Sequence, residues 1–302
     1  MKTIFFTIII CVSFLSTEAR QQNSTLKLRA DSLFIGGDYL SAKITYDSLV
    51  KRTFPNQEWD KYFESKSRMI ECDWRLGKIE EAEVSAYELY TESIEKLGDE
   101  NLYSGMADLH LGVVNLLKEN LKESEKYFLK TLEVYKKHYG KKHTEVNNVL
   151  YNLGVVKKKN GHIDSAIYYF NKTLEYDKEE FGLDNIRLTD HYTNLGSVYQ
   201  DIGFLEKVKL YYDSALILYR KANRVNHPLA AITYSNMGAN YCSMGQFEKG
   251  ISHLFKALKI FEEYYSNSHY RIIATYNQIG TAYFELENFN LAKNYAMKAM
   301  QL

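Results

Sequence analysis

Small or apolar side chains recur every fourth residue along several stretches of the chain. Examples are Ala166, Phe170 and Leu174, then Val208, Tyr212 and Leu216, then Gly250, Leu254 and Leu258, and earlier Ser124, Phe128 and Leu132. Residues four apart share one face of an α-helix, so each stretch predicts a helix with a buried stripe and a polar back. Ahead of each stretch stands an apolar residue followed by glycine: Leu111-Gly112, Leu153-Gly154, Leu195-Gly196 and Met237-Gly238, with Ile279-Gly280 near the end. The glycines fall at 112, 154, 196, 238 and 280, a constant step of 42 residues. Between glycine and stripe lies a turn, marked by Gly161, Gly203 and Gly245, with Glu119 in that place in the earlier unit. The pattern is helix, tight turn, helix, repeated. It reaches back to a turn at Gly77-Lys78-Ile79, where Ile70 takes the glycine position, and to another at Gly36-Gly37-Asp38-Tyr39. A period of this length marks an array of stacked units rather than independent cores. The expected fold is all-α: a solenoid of about seven antiparallel hairpins near 25–54, 57–97, 100–139, 143–181, 185–223, 227–265 and 268–302.

Glycine inside a helix costs about 1 kcal/mol relative to alanine. Its recurrence at Gly112, Gly154, Gly196, Gly238 and Gly280 therefore needs a structural return. A missing side chain lets the second helix of a hairpin press against the first. The tyrosine three residues on, at Tyr199, Tyr241 and Tyr283, is expected to cover the next contact.

Composition sharpens this picture. Only two prolines, Pro55 and Pro228, interrupt 302 residues, which permits long helices. Tyrosine occurs 26 times, which suits packing with a buried ring and a hydroxyl at the wet edge. The 38 basic and 38 acidic residues cancel, which argues against a nucleic-acid binder. The charges are unevenly spread. Acids dominate from Glu80 to Glu100 and bases from Lys126 to Lys159, either as solvated faces or as a bipolar surface that orients a partner. Met1-Lys2, the apolar run from Ile4 to Leu15 and Thr17-Glu18-Ala19 predict a signal peptide over 1–19 and an exported protein, in the periplasm or secreted, with the bacterial periplasm favoured. Residues 20–24 then form a polar leader, and 25–302 form the array. No later stretch is apolar enough to span a bilayer. Cys72 and Cys242 sit four repeats apart, too distant to pair.

Catalytic chemistry is missing. The sequence holds no paired-histidine helix motif, no phosphate loop and no Cys-x-x-Cys. His138 and His143 lie near a loop without carboxylates at ligand spacing. No metal, cofactor or catalytic residue is expected, and the chain is not expected to be an enzyme.

The fifth unit carries Tyr192, Leu195, Gly196, Tyr199, Gly203, Tyr212 and Ala215, and the sixth Tyr234, Met237, Gly238, Tyr241, Gly245 and Ala257. In these residues the chain resembles tetratricopeptide repeats. Its period exceeds that family's common unit of about 34 residues. It is similar to the longer variety of kinesin light chains, as is the His227-Pro228 pair before a first helix. The resemblance implies a right-handed superhelix whose first helices line a groove for a protein or peptide segment. The groove position two before the glycine holds His110, Asn152, Asn194, Asn236 and Gln278. A carboxamide both donates and accepts, so a ladder of them can pair with an extended backbone. The same groups can equally satisfy partners inside the array. Neighbouring groove positions are Asn148, Tyr151, Lys159, Asp190, Thr193, Ser197, Gln200, Ser235, Ser243 and Asn277. The family's clamp for a terminal carboxylate is not expected, since only Lys159 holds a related place. At the far end Ala296, Ala299 and Met300 would face a following element, so a further segment or partner is expected to cover them. The alternative function is the extracytoplasmic input region of a larger bacterial signalling protein, a histidine kinase or transcriptional regulator continuing past Leu302.

Overall fold

The structure is a computed structural model that describes residues 21–265 and 269–302. The expected signal peptide lies outside the described residues, as does the first residue of the expected seventh hairpin. The described residues form helices in consecutive pairs: α1 (21–35) and α2 (Tyr39–Thr53), α3 (Trp59–Arg75) and α4 (Ile79–Leu97), α5 (Leu102–Leu117) and α6 (Leu121–Tyr139), α7 (Thr144–Lys159) and α8 (Ile163–Phe181), α9 (Leu188–Asp201) and α10 (Leu205–Lys221), α11 (Pro228–Ser243) and α12 (Phe247–Tyr264), α13 (Tyr270–Glu285) and α14 (Phe289–Gln301). Residues 21–24, expected as a leader, are already helical, because nothing in Gln-Gln-Asn-Ser breaks a helix. None of the described helices is long and apolar enough to cross a membrane. The chain packs as two compact units, one up to Val156 and one from Lys157 onward.

The periodic glycine marks the closest approach within a hairpin. A Cβ added at Gly112 would stand 2.6 Å from Phe128 Cε1, and one at Gly196 would stand 2.5 Å from Tyr212 Cε1. At Gly238 it would meet Leu254 Cγ at 2.7 Å and the Gly250 carbonyl oxygen at 3.0 Å. Each time the bulky side chain comes sixteen residues after the glycine. The second hairpin exchanges the sizes. Ile70 is large on the first helix, Ala86 is small on the second, and both belong to one buried cluster. The seventh hairpin is looser. Ala296 holds the later position, and the atom nearest a Cβ at Gly280 is the Ala292 oxygen at 3.3 Å.

The turn position of each hairpin adopts a positive φ. Gly77, Gly161, Gly203 and Gly245 have φ between 72° and 79°, while Glu119 and Glu287 hold the same place at 63° and 56°. Glycine enters this region without a Cβ clash, and glutamate does so under strain.

Tyrosines fill the remaining space. Tyr199 stacks on Tyr211 with ring centroids 5.5 Å apart, Tyr241 meets His253 at 5.2 Å, and Tyr283 stacks on Tyr295 at 5.7 Å. Each pair joins the two helices of one hairpin. Elsewhere the ring is buried and the hydroxyl donates to a carboxylate, as in Tyr46 to Asp31 at 2.6 Å and Tyr103 to Asp60 at 2.7 Å. Among the described residues Cys72 and Cys242 are free thiols. Cys72 is buried, and burial pushes its thiol up to about 12, whereas Cys242 is half-buried.

Candidate binding face on the first helices

In the second unit α9, α11 and α13 lie side by side, and short polar bonds link them. The Thr193 and Thr233 hydroxyls meet at 3.0 Å between α9 and α11. The Ser235 hydroxyl donates to Gln278 Oε1 at 3.1 Å between α11 and α13. Thus the residues two and three before the repeat glycine face the neighbouring first helix. Asn194 donates from Nδ2 to the Asp190 carbonyl oxygen one turn earlier, at 3.0 Å. Asn194, Asn236 and Gln278 are half-buried, while Asp190 and Asn277 are exposed.

Beside these, the Lys158 ammonium donates to the Ser197 hydroxyl and lies 3.7 Å from Asp201 Oδ2. Burial lowers the Lys158 pKa, and the Asp201 charge opposes that shift. The Tyr212 hydroxyl donates to Gln200 Oε1 at 3.0 Å, with Ser197 and Asn236 also in hydrogen-bonding reach. Ser243 is exposed, its hydroxyl donating to the Asn240 carbonyl oxygen at 2.8 Å. Lys159 is exposed.

The first unit holds His110, Asn148, Tyr151 and Asn152. His110 does not belong to an open groove. It is buried, and its Nε2 lies 2.8 Å from the Ser67 hydroxyl on α3. Desolvation lowers its pKa to about 4, opposed by the Glu71 charge. The position two before the glycine faces the preceding first helix, and a flat imidazole fits between helices where a carboxamide reaches the edge. Asn148 donates to Glu145 Oε2 at 3.3 Å, and Tyr151 and Asn152 are half-buried. Part of the capacity of the polar side chains two before the glycine is used between repeats, as at His110 and Gln278.

The histidines follow a pattern of their own. Nδ1 of His143 accepts from the Glu145 N–H at 3.2 Å, that of His227 from Leu229 at 3.2 Å, and that of His269 from Arg271 at 3.3 Å. Asn101 and Asn185 do the same with Oδ1. All five stand at one place of the 42-residue period; Asn101 and the three histidines cap free N–H groups of a first helix, while Asn185 holds the turn ahead of α9. His143 also stacks on Tyr139 at 4.2 Å, and His269 on Tyr265 at 3.8 Å. This periodicity was present in the sequence. It is obscured because asparagine and histidine alternate there. His143 is thus a helix cap, and the described residues hold no cluster of three or more metal-ligating side chains.

Chemically, the face offers hydroxyl and carboxamide groups along three adjacent helices. A family profile for the tetratricopeptide repeat matches residues 103–179 and 229–302. The chain belongs to the tetratricopeptide repeat family. Solved structures agree on the fold of this repeat protein. A Rap protein complexed with competence and sporulation factor superposes with a TM-score of 0.70 at 14% identity, over 93% of this chain and 76% of that one. The Cut9–Hcn1 hetero-tetramer of the APC/C gives 0.66 at 16% identity, over 96% of this chain and 48% of that one. Kinesin light chain-like repeats from Podosopora anserina give 0.52 at 13% identity, over 67% and 96%. Comparison with curated proteins gives no match. The tetratricopeptide fold is generally a non-enzymatic scaffold for protein interactions.

Proposed function

We propose that this chain is a non-enzymatic scaffold that binds a protein or peptide segment along α9, α11 and α13. The observation that carries this is the row of hydroxyls and carboxamides at the positions two and three before the repeat glycine on three adjacent helices. Such groups suit an extended backbone, whose N–H and C=O groups alternate. On this face Asp190 and Asn277 are exposed, and Asn194 and Asn236 are half-buried. The structural relative complexed with competence and sporulation factor is consistent with ligand binding on this fold.

A displayed peptide library selected on the wild-type chain tests this. Peptides recovered should lose affinity about tenfold or more for Asp190→Ala/Asn194→Ala/Asn277→Ala, since each lost bond to a buried polar group costs about 1 kcal/mol. Peptides that bind both forms equally would place the site elsewhere. Export is part of the proposal and rests on residues 1–19. The mass of the mature chain, shorter by the first 19 residues, checks it.

A further inference from the structure

The first unit carries a second surface, made by α4 and α6, that the binding face does not use. Along α4 a shallow groove is lined by Val84, Tyr87, Glu88, Thr91 and Glu95, with Lys66 of α3 at one side. Val84 and Tyr87 are 59% and 48% exposed, large values for apolar side chains on a helix of this length. Glu92 is engaged by Lys66 at 2.5 Å and by the Tyr62 hydroxyl at 2.7 Å, whereas Glu88 and Glu95 stand exposed at the rim. Helix α6 is the neighbour in the array. The Tyr87 and Tyr127 hydroxyls meet at 3.2 Å, and Lys118 pairs with Glu83 at 2.7 Å.

The two helices hold opposite charges at equivalent places. One repeat after Glu88 stands Lys130, one after Glu95 stands Lys137, and one after Tyr87 stands Leu129, which is 44% exposed. Two exposed glutamates on α4 thus run beside two exposed lysines on α6, in register, with Thr91 and Glu133 between them and apolar side chains in both. Such a surface is complementary to itself after a half-turn. We propose that it is a two-fold interface with a second copy of this chain, the axis running between and along the two helices, so that α4 of each copy lies parallel on α6 of the other. Glu88 and Glu95 of one copy then oppose Lys130 and Lys137 of the other. The Lys137–Glu100 pair does not compete strongly, since its side chains are 71% and 72% exposed.

The expected size follows from helix dimensions. Two helices about 28 Å long and about 10 Å apart present roughly 560 Å² per copy. The total, on the order of 1,100 Å², lies at the low end for specific interfaces and predicts a weak, salt-sensitive dimer.

Sedimentation of the full chain tests the proposal. The wild type should dimerise in about 20 mM salt and dissociate in about 1 M salt, where the screening length shrinks to about 3 Å. Glu88→Lys/Glu95→Lys should be monomeric, and so should Lys130→Glu/Lys137→Glu. Mixing the two variants should restore a dimer, now containing one copy of each. Melting curves matching the wild type keep misfolding out of the comparison. A monomeric wild type at low salt, a dimer untouched by either reversal, or variants that do not pair when mixed would each overturn the proposal. So would a monomer whose α4 groove binds a basic peptide instead.

Discussion

At Gly196 the missing side chain is matched by one particular ring. A Cβ would lie 2.5 Å from Tyr212 Cε1, and Tyr212 is buried and cannot swing away. We predict that Gly196→Leu lowers stability by about 1–3 kcal/mol or more. An unchanged melting temperature would sink the packing account. Asn240 presents the opposite case. It is 3% exposed, and its Oδ1 has no hydrogen-bond partner. Val114, Val156 and Val198 occupy the same place in the three preceding repeats. A buried unpaired polar atom costs about 1–3 kcal/mol, so Asn240→Val should raise the melting temperature. A fall would mean that Asn240 has a partner that matters. The glycine period was legible because one residue type recurs at one place. The exchange of Ile70 with Ala86 was not, because it is a correlation between two positions sixteen apart, and neither is unusual alone.

At the scale of the helix, the first turn is held by a cap that can titrate. Burial lowers the pKa of His227 and His269, with Arg224 and Arg271 adding to the shift. The folded state then binds fewer protons than the unfolded chain. Stability from these caps is present above about pH 6.5 and is lost as pH falls through the lowered folded values. Protonation turns Nδ1 from acceptor to donor, so the bond to the helix N–H cannot form. Buried His110, folded value about 4, acts in the same direction. Asn101 caps the equivalent helix α5 without titrating. We predict that His227→Asn/His269→Asn reduces the loss of melting temperature between pH 7 and 5, with each cap contributing about 1 kcal/mol. Parallel pH profiles for variant and wild type would exclude a role for these caps. The helices themselves were legible from spacing. The caps were not, because two residue types share the task.

For the whole molecule, period and stripe were enough to give the helical pairs, and a single continuous array was the natural expectation. The chain packs as two compact units, one up to Val156 and one from Lys157. That division separates the expected ladder. His110 and Asn152 belong to the first unit, and Asn194, Asn236 and Gln278 to the second. Sequence alone places these side chains at one position of the repeat but not how much of their capacity is spent inside the array. Hydrogen bonds such as Ser235 to Gln278 depend on how successive repeats are rotated, which a period does not encode. The central claim is that the exposed remainder binds an extended segment. Titration of the wild type and of Asp190→Ala/Asn194→Ala/Asn277→Ala with one selected peptide, followed calorimetrically, tests it most directly. The account predicts a loss of affinity of about tenfold or more with an unchanged melting temperature. Equal affinities for the two proteins would contradict it.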